Sequence, residues 1–125
     1  MNDFACVSDI ENFLWNLFTS DLIERKGFSL PSTNDFDSFV VIEIPNPISD
    51  MNAYANGTAL VYIYAKPLAS GVKNPVIGKI EKEVTRLANE SKDTTYTISK
   101  RYVYTDYDAG RDLHVNIVEF NLTIG

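Results

Sequence analysis

The sequence predicts an α+β domain: a largely antiparallel sheet of four strands or slightly more, with two helices packed on it in the order αββαββ. Three observations carry this. Two segments repeat apolar residues at helical spacing, Ile10 to Phe18 and Ile77 to Leu87. A pair of β-rich runs follows each of them, and the last pair is joined at Asp108-Ala109-Gly110, where Asp and Gly supply turn chemistry. Helices alternating with hairpin-like strand pairs favour an antiparallel sheet carrying its helices on one face. At 125 residues the chain is expected to form one domain, residues 1–125, with a real core and no need of covalent staples.

The first helix is expected to open at Ser8, whose spacing to Glu11 suits a capping box, and to run to about Glu24 before Gly27 stops it. Ile10, Phe13, Leu14, Leu17 and Phe18 form its buried stripe. Trp15 falls off that stripe and either widens the buried face or lies exposed. Residues 29–38 read as a loop carrying Phe36 as a plug. The run Phe39-Val40-Val41-Ile42 through Ile44 barely alternates, as in a strand buried on both faces, and Pro45 and Pro47 end it. Residues 50–56 read as a polar connector in which Met51 and Tyr54 are the large apolar groups. From Thr58 to Ala65 the pattern alternates again: Ala59, Val61, Ile63 and Ala65 would fit under a helix, while Leu60, Tyr62 and Tyr64 share the other face. That aromatic face is either a contact surface or an ordinary wet one. After a loop, Asn74-Pro75 marks the entry to the second helix. Ile77, Ile80, Val84 and Leu87 form its stripe, and Glu81, Lys82, Glu83 and Arg86 a solvated outer face.

The closing ribbon, Tyr96 to Leu122, is the least regular part. In its first strand Tyr96, Ile98, Tyr102 and Tyr104 share parity. In its second, Leu113, Val115 and Ile117 hold one parity, whereas Val118, Phe120, Leu122 and Ile124 hold the other. Either a β-bulge at Ile117-Val118 restores a single buried face, or the two ends of this strand bury opposite faces against different structures. A neighbouring subunit would serve as one of them.

A formal charge of −6 and a pI near 4.6 make the chain repel a phosphate backbone. Cys6 is the only cysteine, so an intramolecular disulfide and a cysteine-based metal site are ruled out, and a reducing compartment is expected. No signal-peptide pattern and no apolar run of about 18 residues occurs, which points to a soluble protein made in a cytoplasm. The Asn-x-Ser/Thr matches at Asn56, Asn89 and Asn121 are chance occurrences in that setting. His114, the sole histidine, lacks companion metal ligands and a nucleophile partner, so it reads as a strand residue at a surface or contact. Asp106, Asp108 and Asp112 read as turn acids, because the bidentate glutamate of a calcium hand is missing. Glu81 and Glu83 point apart on a helix, and Gly71 and Gly78 do not make a phosphate loop. No catalytic, cofactor or metal site is expected.

The run Arg101-Tyr102-Val103-Tyr104-Thr105-Asp106-Tyr107-Asp108, followed by His114-Val115-Asn116-Ile117-Val118 and a short apolar tail, resembles the C-terminal half of phage and prophage tail completion, or tail terminator, proteins. The segment Pro45-Asn46-Pro47-Ile48-Ser49-Asp50 ahead of a Gly57-led strand, with its loop into one amphipathic helix, is similar to their middle. The likeness spans most of the chain in order and spacing. It implies a non-enzymatic virion protein at the tail-neck junction, made in the host bacterial cytoplasm. Such a protein forms a ring, commonly a hexamer, that stops tube polymerisation and meets the tail tube protein and a neck or head-completion protein. DNA would pass through without specific binding; no membrane and no cofactor are implied. On this reading the candidate subunit or partner interface is Tyr62, Tyr64, Tyr102, Tyr104, His114, Val118, Phe120 and Leu122. Acids facing the lumen, among Asp35, Asp37, Asp50, Asp106, Asp108 and Asp112, would repel the DNA. The alternatives are a head-to-tail connector or neck protein, a small-ligand or enzyme domain whose tyrosines line a pocket, and an adaptor that captures a partner strand on its sheet edge.

Overall fold

A computed structural model describes residues 7–45, 49–51 and 54–125 of the chain. Cys6 and the Asn46-Pro47-Ile48 part of the proline segment lie outside the described residues. The elements run α1 (Val7–Leu17), β1 (Lys26–Gly27), β2 (Ser38–Glu43), β3 (Ser49–Met51), β4 (Tyr54–Ala65), α2 (Val76–Asn89), β5 (Tyr96–Asp108) and β6 (Leu113–Ile124). The class is α+β, as expected, and the four long strands are antiparallel in the order β2-β4-β6-β5. Two short strands make the sheet larger and mixed. β1 pairs in parallel with β2 at Val40 and Val41. β3 pairs with the start of β4, so part of the expected polar connector is a hairpin. β2 and β3 lie end to end along one side of β4, facing Leu60 and Asn56 at their near ends, and Pro45 falls in the gap where a ladder donor would be missing.

Helix α1 is shorter than the sequence suggests. Val7 is already helical, so Ser8 sits inside the first turn instead of capping it, and the helix ends at Leu17, well before Glu24. What ends it is Lys26, which arrives from β1. Its ammonium donates to the carbonyls of Trp15 (2.6 Å) and Phe18 (3.1 Å) and to Thr19 Oγ1 (2.9 Å), using all three donors on the negative end of the helix. It also lies 4.4 Å from the centre of the Trp15 ring, and burial pushes its pKa down. Trp15 therefore widens the buried face, tilted against Phe28 at 5.2 Å. Gly27 does not stop a helix; it lies in β1, where a Cβ would come within 3.3 Å of the Phe39 ring.

Helix α2 starts as expected. The Asn74 carboxamide accepts the Val76 amide at 3.0 Å, and Pro75 already has helical dihedrals. Ile77, Ile80, Val84 and Ala88 are buried. Its outer face is less idle than its charges suggested: Arg86 pairs with both Glu83 and Glu90, and the Ser20 hydroxyl donates to Glu83, joining the segment after α1 to α2.

The main core lies between the two helices and one sheet face. Ile10, Leu14 and Phe18 of α1 and the apolar residues of α2 pack on Val40, Ile42, Ala59, Val61, Ile63, Val118, Phe120 and Leu122. Three of these, Val118, Phe120 and Leu122, were candidates for a subunit interface, but they are 0%, 0% and 1% exposed. The reason is register: β6 pairs with β4 without interruption from Ile124 to His114, so its even-numbered residues all share the helix-covered face with Ala59, Val61 and Ile63. There is no bulge at Ile117-Val118. The irregularity is in the partner strand, between Lys100 and Tyr102, where Arg101 is the extra residue. Tyr96 and Ile98 thus lie on the helix side, while Tyr102 and Tyr104, of the same parity, lie on the other.

The apolar start of β6 meets the loop between β1 and β2. Leu113 is fully buried on the second sheet face with Phe36, Phe39 and Val41, and Leu30, Tyr62 and Tyr64 pack around them. Phe36 is the plug its sequence context suggested, 5.3 Å from Phe39. The loop is clamped across the sheet by Asn34, whose side chain donates to the Arg111 carbonyl at 2.6 Å and accepts from the Arg111 guanidinium.

Phe120→Ala should cost about 3–5 kcal/mol, read as a lower urea midpoint with an unchanged slope. Phe120→Asp should abolish the native circular dichroism, as a core site requires. Asn34→Ala, which frees the loop, should cost about 1–3 kcal/mol and speed amide exchange in residues 29–37.

Candidate functional site

The surface with most chemistry is the sheet face opposite the helices, beyond the reach of the Phe36 loop. Its rows follow from the pairing. Val41, Tyr62, Ile117 and Tyr104 face one another across β2, β4, β6 and β5, and Glu43, Leu60, Glu119 and Tyr102 form the next row. Tyr62 and Tyr64 stack at 6.1 Å and 12° and are half-buried. Tyr102 and Tyr104 form a second pair at 6.1 Å and are 51% and 45% exposed. β6 stands between the pairs, so the four tyrosines do not converge on one pocket. Each pair is tied to a carboxylate: the Tyr62 hydroxyl donates to Glu43 and the Tyr104 hydroxyl to Glu119, both at 3.0 Å.

Glu119 also sits 3.8 Å from Arg101, whose guanidinium lies 5.2 Å from the Tyr102 ring centre. The bulge makes this arrangement: the extra residue lets Arg101 and Tyr102 lean to the same side of the strand. No pattern in the sequence marks it, because Tyr96, Ile98, Tyr102 and Tyr104 have a uniform parity. On the β2 side, a groove of about 300 Å³ opens between Phe28 and Leu30 on one wall and Val41, Tyr62 and Tyr64 on its floor, with Glu43 at its mouth. Phe28 and Leu30 were not among the expected site residues. They belong to a loop whose course depends on the Asn34 clamp.

His114 lies on the helix side at the far end of β6, half-buried with the Tyr107 ring edge-on at 4.9 Å, and its Nδ1 has no hydrogen-bond partner among the described residues. It points away from the tyrosine face, on the opposite side of the sheet. Asp108 and Asp112 act as turn acids: Asp108 accepts the Arg111 amide, and Asp112, at φ 53°, accepts the Tyr107 hydroxyl. The same end of the sheet, where β2 begins and β4 ends, also carries Asp37. A larger groove of about 660 Å³ runs between α1 and the start of β5, past Asp9, Asn12, Phe13, Lys92 and Tyr96. Among the described residues no cluster of His, Cys, Asp and Glu has the makings of a metal site, and no helix is long and apolar enough to cross a membrane. No protein-family model matches the chain, and no curated protein matches it.

Burial, then the hydrogen bond and charge of Glu43, push the Tyr62 hydroxyl up to about 12. Tyr64 is raised too, first by burial and then by the nearby Asp108 charge. A raised folded-state value means that the protonated Tyr62 contributes stability below the ordinary tyrosine value of about 10, and that this contribution is lost as pH climbs through about 12. In an alkaline absorbance titration one tyrosine should ionise near 12, and Glu43→Gln should move it part of the way back towards the ordinary value, since burial remains.

Proposed function

We propose that the chain is a structural, non-enzymatic subunit of the tail terminator class of tailed phages or prophages, closing the tail tube as a ring at the tail-neck junction. The observation that carries this reading is β5. It is an edge strand of 13 residues, exposed along most of its length, with Tyr102, Tyr104 and Tyr107 standing out of it. An open edge of that length offers pairing to another chain. The bulge at Arg101 and the charges beside it discourage a flat match over the whole strand, but the regular stretch from Tyr102 to Asp108 stays open, as suits a subunit whose edge is covered on assembly. The ordered resemblance of the sequence to tail terminators supplies the assembly. The net charge of −6 suits a ring through which DNA passes unheld, with Asp37, Asp108 and Asp112 gathered at one end of the sheet as its natural lining.

Light scattering across a concentration series, with and without added tail tube, tests the reading. A closed ring of fixed size, alone or on the tube end, is expected, together with tubes that stop elongating in electron micrographs. A strict monomer that leaves tube growth unchanged would sink it.

A further inference from the structure

The geometry points to a head-to-tail contact between copies of this chain, in which the Arg101-Tyr102 knob of one copy enters the Glu43 groove of the next. This rests on the ring reading above and gives it a seam. The first argument is placement. Glu43 and Tyr102 stand at opposite ends of one cross-strand row, Glu43–Leu60–Glu119–Tyr102, on the same sheet face. A contact that joins the two ends of such a row uses a different patch on each partner, which is what a heterologous, ring-forming interface requires.

The second argument is complementarity. On one edge the bulge lifts a cation and an aromatic ring together: Arg101 over Tyr102, both exposed. Its nearest carboxylate among the described residues, Glu119, is 3.8 Å away, beyond hydrogen-bond range, so most of the five guanidinium donors remain available. On the other edge the groove is lined by Phe28, Leu30, Val41, Tyr62 and Tyr64 with Ser29 among them, and it is bordered by the exposed Glu43 carboxylate, which accepts the Tyr62 hydroxyl through one oxygen and keeps the other for a partner. An aromatic ring fills the one and a guanidinium meets the other. The β2 side is accessible there, because β1 pairs only at Val40 and Val41 and stops short of Glu43.

The test is site-specific cross-linking in a Cys6→Ser background. Glu43→Cys and Tyr102→Cys are combined in one chain and treated with a short bismaleimide. Within one chain the two positions are three strand spacings apart, about 14 Å, beyond the linker's span. A ladder of cross-linked species ending at the ring size is expected, with each single variant silent. A dimer from Tyr102→Cys alone would mean that two β5 edges meet symmetrically, and it would overturn the contact. Charge reversal gives a second readout: Arg101→Glu and Glu43→Arg should each raise the half-assembly concentration at least tenfold, and the double reversal should restore it. If light scattering finds that the double-cysteine chain itself still closes into a ring but its cysteines do not cross-link, this seam is wrong and the ring reading stands. A strictly monomeric unsubstituted chain overturns both.

Discussion

β6 is paired on both sides along its whole length, to β4 from His114 to Ile124 and to β5 across the same span, and the molecule is arranged around that double ladder. Because the register on the β4 side is unbroken, Val118, Phe120 and Leu122 must face the helices together with Ala59, Val61 and Ile63. A slip of one residue would exchange the entire set for Ile117, Glu119 and Asn121, putting a carboxylate into the core. The ladder therefore decides which face the helices cover, and by elimination which face is left to loops and solvent.

What remains on the second face is divided between two uses. Near the β5–β6 turn the 28–37 loop is drawn across the sheet and held by Asn34 and Arg111, so that Phe36 and Leu30 cover Leu113 and Val41. Further along, no segment of the described chain covers Tyr102 and Tyr104. The bulge at Arg101 belongs to this second zone. It lets β5 keep Tyr96 and Ile98 in the core while turning Tyr102 and Tyr104 outwards, and it interrupts a long edge that would otherwise be a flat template for pairing.

Much of the candidate surface was legible in the sequence, and part was not. Alternation in residues 58–65 separates Tyr62 and Tyr64 from the small branched residues that lie under the helices, and the structure has that division. Parity in the closing ribbon left two readings of β6 open, and the structure has the second, its two ends buried on opposite faces, while the bulge in β5 left no mark in that strand's parity. A change of face at Ile117-Val118 is equally well explained by a bulge or by two different covers, and one strand's pattern cannot distinguish them. The pairing with β4 makes the choice. Phe28, Leu30 and the Glu43 groove were missed because a loop carries no periodicity, and its position is set by a contact with Arg111, 77 residues away from Asn34.

The sequence by itself determined the α+β class, the two buried helical stripes, the doubly buried β2 and the sorting of β4 into two faces. Each of these depends on where apolar residues recur along a single element, and that recurrence is written locally. Tertiary structure alone decided where α1 ends, where the bulge falls, what covers Leu113 and which aromatic residues stay exposed. The end of α1 is set by Lys26 reaching back to the carbonyls of Trp15 and Phe18, and the cover of Leu113 by a clamped loop. These outcomes depend on hydrogen bonds and packing between segments distant in the chain, and such partners leave no periodic trace in either segment.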